Sequence, residues 1–147
     1  MSIKDDVTLL ERIPTLRVLG SALLRMVAVG SEQRDVARGA TLFRLGDDAD
    51  CGFVVQRGLL RVFDGAGADV TAGPGSLIGE LALLVAMRRP STATALEKTA
   101  VMRIPRSLFQ RVLDSDPEAA KRLRDGFANR ASEIRSALLA AGAKLGD

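Results

Sequence analysis

The stretch LIGELALLVAMRRPSTATA, residues 77–95, combines one carboxylate with paired arginines in an apolar run. Glu80 directly follows Gly79, and Arg88 and Arg89 come shortly afterwards. A glycine lets a ligand approach the backbone closely, a carboxylate accepts hydrogen bonds from hydroxyl groups, and a guanidinium binds phosphate oxygens through paired hydrogen bonds. The pattern therefore indicates either a structural ion pair or a site for a small ligand that carries both hydroxyls and a phosphate.

The composition is typical of a soluble globular domain. The chain has 147 residues, 47% hydrophobic and 27% charged, with a net charge of +3. This length fits one domain, residues 1–147. No apolar run approaches the ~20 residues of a membrane-spanning helix, and the N-terminus lacks the order of a signal peptide. Cys51 is the sole cysteine, which fits a reducing compartment. We expect a cytoplasmic protein without membrane contact.

Missing residue types argue against several function classes. The chain has no His, Tyr or Trp, and only five Phe. Without histidine, the usual general base and the Ser–His and Cys–His pairs are absent. One cysteine among scattered carboxylates gives no metal-ligand spacing, and neither aromatic platforms nor a dense basic patch for nucleic acid is present. The sequence predicts a non-enzymatic protein with no cofactor, no metal and no direct DNA binding.

The spacing of the apolar residues changes near residue 31, well before the opening stretch. Apolar residues recur at helical spacing over about 4–30, and Pro14 and Gly20 divide this segment into two or more helices. Over about 32–105, apolar runs are short and bounded by glycine, as in a jelly roll, and DGAG at 64–67 favours a hairpin turn. We predict an α+β fold, with helices flanking a β-roll of about eight short strands.

Two C-terminal helices are expected over about 106–142. Asp116 suits the N-cap of the second helix, and Pro117 suits its first turn. That helix carries an apolar stripe at steps of three or four, formed by Ala120, Leu123, Phe127, Ala131, Ile134 and Leu138. The stripe either packs on the roll or serves as a homodimer interface, with Leu123, Phe127 and Ile134 as the contact candidates.

Four glycine motifs follow one another along the chain, namely Gly46-Asp47, Gly58, Gly73-Pro74-Gly75 and Gly79-Glu80-Leu81. In this order and approximate spacing they resemble the cyclic nucleotide-binding domain. This family includes the bacterial catabolite activator protein, the regulatory subunits of protein kinase A and the sensors of nucleotide-gated channels. The match covers about 40–113. It implies the family's β-roll and its ligand site, here in a stand-alone bacterial type.

The resemblance implies a role for each residue of the opening stretch. Glu80 is expected to accept hydrogen bonds from a ribose 2′-hydroxyl, and Arg89 to pair with the cyclic phosphate. The implied backbone N–H donors, at a helix start, are Gly79, Leu81 and Ala82. Arg88 leaves an ambiguity of one residue about which arginine enters the site. The family often uses the last helix as a lid over the nucleotide base, which implies this role for Leu123, Phe127 and Ile134.

Pro90 departs from the family pattern. The family usually has Ala, Ser or Thr directly after the arginine, and the N–H of that residue reaches the phosphate. Proline has no N–H, so one donor is missing, at a loss of about 1–3 kcal/mol. Members that prefer cGMP often carry a hydroxyl at this position, so Pro90 favours cAMP, while Ser91 remains a candidate ligand contact.

The segment after Pro117 is about thirty residues, too short for the helix-turn-helix of the catabolite activator class. We therefore predict a cyclic nucleotide-binding regulatory protein without an output domain. Ligand-dependent movement of its C-terminal helices would act on an unknown effector protein or on a homodimer. The alternatives are a degenerate fold that acts as a protein-interaction module and, third, a transcriptional regulator that lacks its DNA-binding module.

Overall fold

The structure, a computed structural model, describes residues 2–129 and within them five helices and ten strands. The helices are α1 (Ile3–Glu11), α2 (Pro14–Arg17), α3 (Ser21–Gly30), α4 (Arg106–Asp114) and α5, described over 117–129. The strands are β1 (Glu32–Val36), β2 (Thr41–Phe43), β3 (Asp48–Ala49), β4 (Cys51–Arg57), β5 (Leu60–Phe63), β6 (Asp69–Ala72), β7 (Leu77–Ile78), β8 (Met87–Arg88), β9 (Thr92–Ala95) and β10 (Thr99–Pro105). The predicted α+β class is confirmed.

The strands form a roll of two antiparallel sheets. One sheet has the order β1-β10-β4-β7 and the other β2-β9-β5-β6, while β3 and β8 form a separate two-stranded ladder. The roll therefore has ten strands in the described chain rather than about eight. The strands β3, β7 and β8 have only two residues each, too few for alternation of polar and apolar residues to reveal them in a sequence.

Strands β4 and β10 separate two hydrophobic cores. Phe53 and Val55 pack inside the roll, whereas Val54 between them packs against the helices, as does Met102 of β10. Alternate side chains of a strand point to opposite faces, so these two strands are buried on both sides. We call the outer group, which includes residues of all five helices, the helical core.

Local sequence signals have the expected effects. Pro14 begins α2, and Gly20, with φ +83°, is the N-cap of α3. The segment 64–67 connects β5 to β6, and the Asp64 carboxylate accepts hydrogen bonds from the N–H groups of Ala66 and Ala68. The predicted helix boundaries and hairpin turn are confirmed.

Helix α5 begins at the predicted cap, and its described part packs against the rest of the molecule. Its cap is formed by Asp116, whose Oδ1 accepts a hydrogen bond of 3.1 Å from the N–H of Ala119. Leu123 has an exposed fraction of 0% and lies in the helical core, and the half-buried Phe127 packs against it. Leu123 therefore packs inside this molecule, in agreement with the first of the two alternatives that the sequence left open, and the homodimer or lid role of this helix stays a prediction. Ala131, Ile134 and Leu138 lie outside the described residues.

Within residues 2–129, no helix is long and apolar enough to cross a membrane.

Candidate functional site

A cavity of about 270 Å³ lies beside the 3₁₀ helix Leu81–Leu83, which follows β7. Six of the seven predicted ligand contacts line it, namely Gly79, Glu80, Leu81, Ala82, Arg89 and Ser91. The seventh, Arg88, does not. Phe43, Ala49 and Met87 add apolar wall from other strands. The fold thus gathers the polar groups of the opening stretch around one partly apolar space.

Gly79 adopts a backbone conformation that brings Arg89 close to the main chain. Its φ is +77°, and a Cβ built on it would lie 2.5 Å from Nη1 of Arg89 and 3.3 Å from the carbonyl oxygen of Cys51. Any side chain at this position would be strained and would also displace the guanidinium. A glycine is therefore required here for two independent reasons.

The helix expected after Gly79 is a single 3₁₀ turn of three residues. Within it, the N–H of Ala82 donates to the carbonyl of Gly79 at 3.1 Å. The family resemblance implied that the N–H of Ala82 donates to the phosphate at the start of a short helix. In this structure its N–H already has a partner inside the turn.

Arg89 lies between β8 and β9, held by its own backbone. Its N–H donates to the backbone carbonyl of Asp47 at 2.7 Å, and its carbonyl accepts from the N–H of Gly46 at 2.8 Å. The side chain is only 4% exposed, and its Nη2 donates to the carbonyl oxygen of Cys51 at 3.0 Å and contacts the Cys51 sulfur at 3.1 Å. These contacts fix the guanidinium beneath Gly79.

Within residues 2–129, the charge on Arg89 faces two aromatic rings rather than a carboxylate. Its Cζ lies 4.4 Å from the ring centroid of Phe43 and 5.3 Å from that of Phe53. Its Nη1 is buried and has no hydrogen-bond partner in the described part of the chain, where no carboxylate forms an ion pair with it. Buried charges in proteins are normally paired, so this site is suited to an anionic ligand.

Glu80 is partly buried and is bonded to the N-terminal helices. Its Oε1 accepts a hydrogen bond of 2.9 Å from the hydroxyl of Thr15 on α2. Glu80 and Arg89, both in the described range, form no ion pair with each other. The purely structural ion pair that the sequence left open is therefore not formed.

Arg88 and Arg89 separate at strand β8. Arg88 is opposite Asp48 in the β3–β8 ladder, and its exposed side chain donates to the carbonyl of Gly46 at 3.1 Å. Neighbouring residues of extended chain point to opposite sides. Only Arg89 is directed to the cavity.

Some neighbours of the site were not predicted from the sequence. Phe43 and Phe53 stack with a centroid distance of 5.9 Å, and both rings face the Arg89 guanidinium. Thr15 is hydrogen-bonded to Glu80 although the two residues are 65 positions apart in the sequence. Such contacts arise from the packing of distant elements, and no local pattern carries them. Cys51 is buried beside the guanidinium, and this burial raises the pKa of its thiol although the nearby Arg89 charge acts in the opposite direction.

The sequence model of the cyclic nucleotide-binding domain matches residues 33–116. This chain belongs to the cyclic nucleotide-binding domain family. The matched range includes every residue named above that lines the cavity of this cyclic nucleotide-binding domain.

Three similar proteins illustrate the range of the family. A cyclic nucleotide-gated potassium channel of Mesorhizobium japonicum is 30% identical over 88% of this chain and 36% of its own length. The N-terminal domain of a Streptomyces coelicolor transcriptional regulator has a TM-score of 0.79 and 28% identity, covering 88% of this chain and 96% of that one. The regulatory domain of Toxoplasma gondii PKA, solved with cAMP, has a TM-score of 0.71 and 27% identity, over 82% and 47%. This cyclic nucleotide-binding domain spans about a third of the length of the channel.

Proposed function

We propose that this protein is a non-enzymatic regulator in the cytoplasm that binds a cyclic nucleotide, cAMP rather than cGMP, in the cavity beside Gly79. The observation that carries the proposal is Arg89, a buried guanidinium whose Nη1 has no partner in the described chain. A cyclic phosphate supplies the missing negative charge through charge-assisted hydrogen bonds. The domain family and the cAMP complex of the Toxoplasma relative support this class of ligand.

The remaining cavity residues take complementary roles in this proposal. Glu80 accepts a hydrogen bond from the ribose 2′-hydroxyl, and Gly79 lets ligand and backbone approach closely. Phe43 and Met87 offer apolar surface. The bound nucleotide favours one position of the C-terminal helices, and an effector protein or a second copy of the chain reads the change.

Paired arginine variants test the phosphate role. Arg89→Ala is expected to weaken cAMP binding by about a hundredfold or more, because it removes a charge-assisted contact from a buried site. Arg88→Ala is the matched control and should change affinity little, since Arg88 does not line the cavity. Calorimetric titration with cAMP, cGMP and a cyclic dinucleotide measures both variants and the ligand preference.

Circular dichroism confirms that each variant is folded, and Arg89→Lys provides a second test that keeps the charge. Equal and small effects of the two alanine variants contradict the role of Arg89. A wild-type protein that binds none of the three nucleotides contradicts the proposal and favours a protein-interaction module.

Pro90→Ala tests the departure from the family pattern. Pro90 is exposed at the cavity wall, so the roll should tolerate the change. The substitution restores an N–H near the phosphate position and should tighten cAMP binding by about tenfold, or roughly 1.4 kcal/mol. Unchanged or weaker affinity in the same titration means that the loop satisfies the phosphate by another route.

A further inference from the structure

Thr15 connects the N-terminal helices to the candidate ligand site. It lies on α2, is 7% exposed, and donates the hydrogen bond of 2.9 Å to Oε1 of Glu80. It does not line the cavity itself. A buried hydroxyl that bonds a site carboxylate from outside the cavity is suited to orient that carboxylate.

The short helix α2 is held firmly, so the hydroxyl of Thr15 has a fixed position. Pro14 at the first helical position restricts the backbone, and Leu16 is fully buried in the helical core. Just after α2, the carbonyl of Val18 accepts a hydrogen bond of 3.2 Å from Nε of Arg122 on α5. The segment that carries Thr15 is therefore hydrogen-bonded both to the site carboxylate and, through Val18, to α5.

We propose that Thr15 is a positioning residue that holds the Glu80 carboxylate for a ribose 2′-hydroxyl, an inference that rests on the proposed function. A carboxylate accepts about four hydrogen bonds, so the bonds from Thr15 and from a ribose are compatible. Glutamate has considerable rotamer freedom, and a carboxylate that is already oriented loses less entropy when a ligand binds. Thr15 therefore sets selectivity for a nucleotide with a 2′-hydroxyl.

The experiment compares cAMP with 2′-deoxy-cAMP, which lacks the hydroxyl in question. Thr15→Val keeps the shape but removes the hydrogen bond, and Thr15→Ser retains it. For Thr15→Val we expect about tenfold weaker cAMP binding, nearly unchanged 2′-deoxy-cAMP binding, and hence a preference for cAMP reduced by the same factor. Thr15→Ser should preserve the wild-type preference.

Each other outcome contradicts the positioning role. If Thr15→Val leaves the preference for cAMP over 2′-deoxy-cAMP unchanged, Thr15 has a structural role only. If the variant binds cAMP more tightly than the wild type, the Thr15 hydroxyl competes with the ribose for the Glu80 carboxylate. If Thr15→Val does not fold, Thr15→Ala gives a second variant without the hydroxyl. A wild-type protein that binds neither ligand contradicts the proposed function as well, which distinguishes the two failures.

Discussion

The positive charge of Arg89 is almost fully buried. Burial of an unpaired charge costs several kcal/mol, and a cation–π contact returns about 0.5–2 kcal/mol. The Cys51 carbonyl and the faces of Phe43 and Phe53 offset part of this cost. The arrangement is therefore poor for stability alone, and a bound anion accounts for it better than packing does.

Gly79→Ala should damage the site more than the equivalent change elsewhere. Gly39 is a matched control, because its φ of +83° is close to the +77° of Gly79, but no atom lies within 4 Å of its missing Cβ. Both substitutions force alanine into a left-handed conformation, at about 1–2 kcal/mol. Only the Cβ added by Gly79→Ala also collides with Arg89. This variant alone should therefore lower cAMP affinity, by about tenfold or more.

Urea unfolding of both alanine variants measures the loss of stability from the left-handed conformation. Calorimetric titration measures the loss of cAMP affinity. If both variants lose nucleotide affinity equally, the contact between Gly79 and Arg89 has no functional role.

Cys51 should be nearly inert to alkylation in the folded protein. It is 2% exposed, and burial raises the pKa of its thiol, so less of it is the reactive thiolate at pH 8 than for an ordinary cysteine. We expect iodoacetamide to react at least about tenfold more slowly with the native than with the urea-unfolded protein. Equal rates, followed by mass spectrometry, contradict the burial of this thiol.

At the scale of elements, Arg106 attaches helix α4 to the cavity wall. Its Nη1 donates to the carbonyls of Ala49 at 2.9 Å, Ala82 at 3.2 Å and Val85 at 2.9 Å. Its backbone N–H also donates to the carbonyl of Asp50 at 2.8 Å. The start of α4 is thereby joined to the segment that forms the site.

Arg106→Ala should lower the free energy of unfolding by about 2–3 kcal/mol, because hydrogen bonds from a charged donor are lost and carbonyls are left unpaired. Arg111, which is exposed on the same helix, is the control, and Arg111→Ala should change stability by less than about 0.5 kcal/mol. Urea unfolding measures both variants. Equal effects mean that Arg106 does not attach α4 to the site.

The sequence predicted those elements that have local signals. Pro14, Gly20 and Asp116 mark boundaries through their own backbone preferences, and these signals hold whatever the tertiary structure. The two-residue strands, the 3₁₀ turn and the contact between Thr15 and Glu80 depend on the arrangement of distant segments. They could not be read from the periodicity of one sequence.

At the scale of the whole molecule, the cavity lies where the two hydrophobic cores meet. Phe43 and Ile78 of its wall pack in or against the core of the roll, while Leu83 of the adjacent 3₁₀ helix lies in the helical core. Thr15 and Arg106 add polar contacts from α2 and α4. A ligand in the cavity therefore touches groups fixed to both cores, which is the arrangement that the proposed shift of the helices needs.

The burial of Leu123 allows a test of whether α5 packs within the monomer or in a homodimer interface. Its side chain is fully buried among residues of the same chain, so Leu123→Ala should destabilise the protein by about 2–5 kcal/mol. Because the contact is intramolecular, this loss should be the same at low and high protein concentration, whereas stability supplied by a homodimer rises with concentration. Urea unfolding at protein concentrations differing by about a hundredfold, with light scattering of the wild type, measures both quantities. A loss from Leu123→Ala that appears only at high concentration places Leu123 in a dimer interface instead.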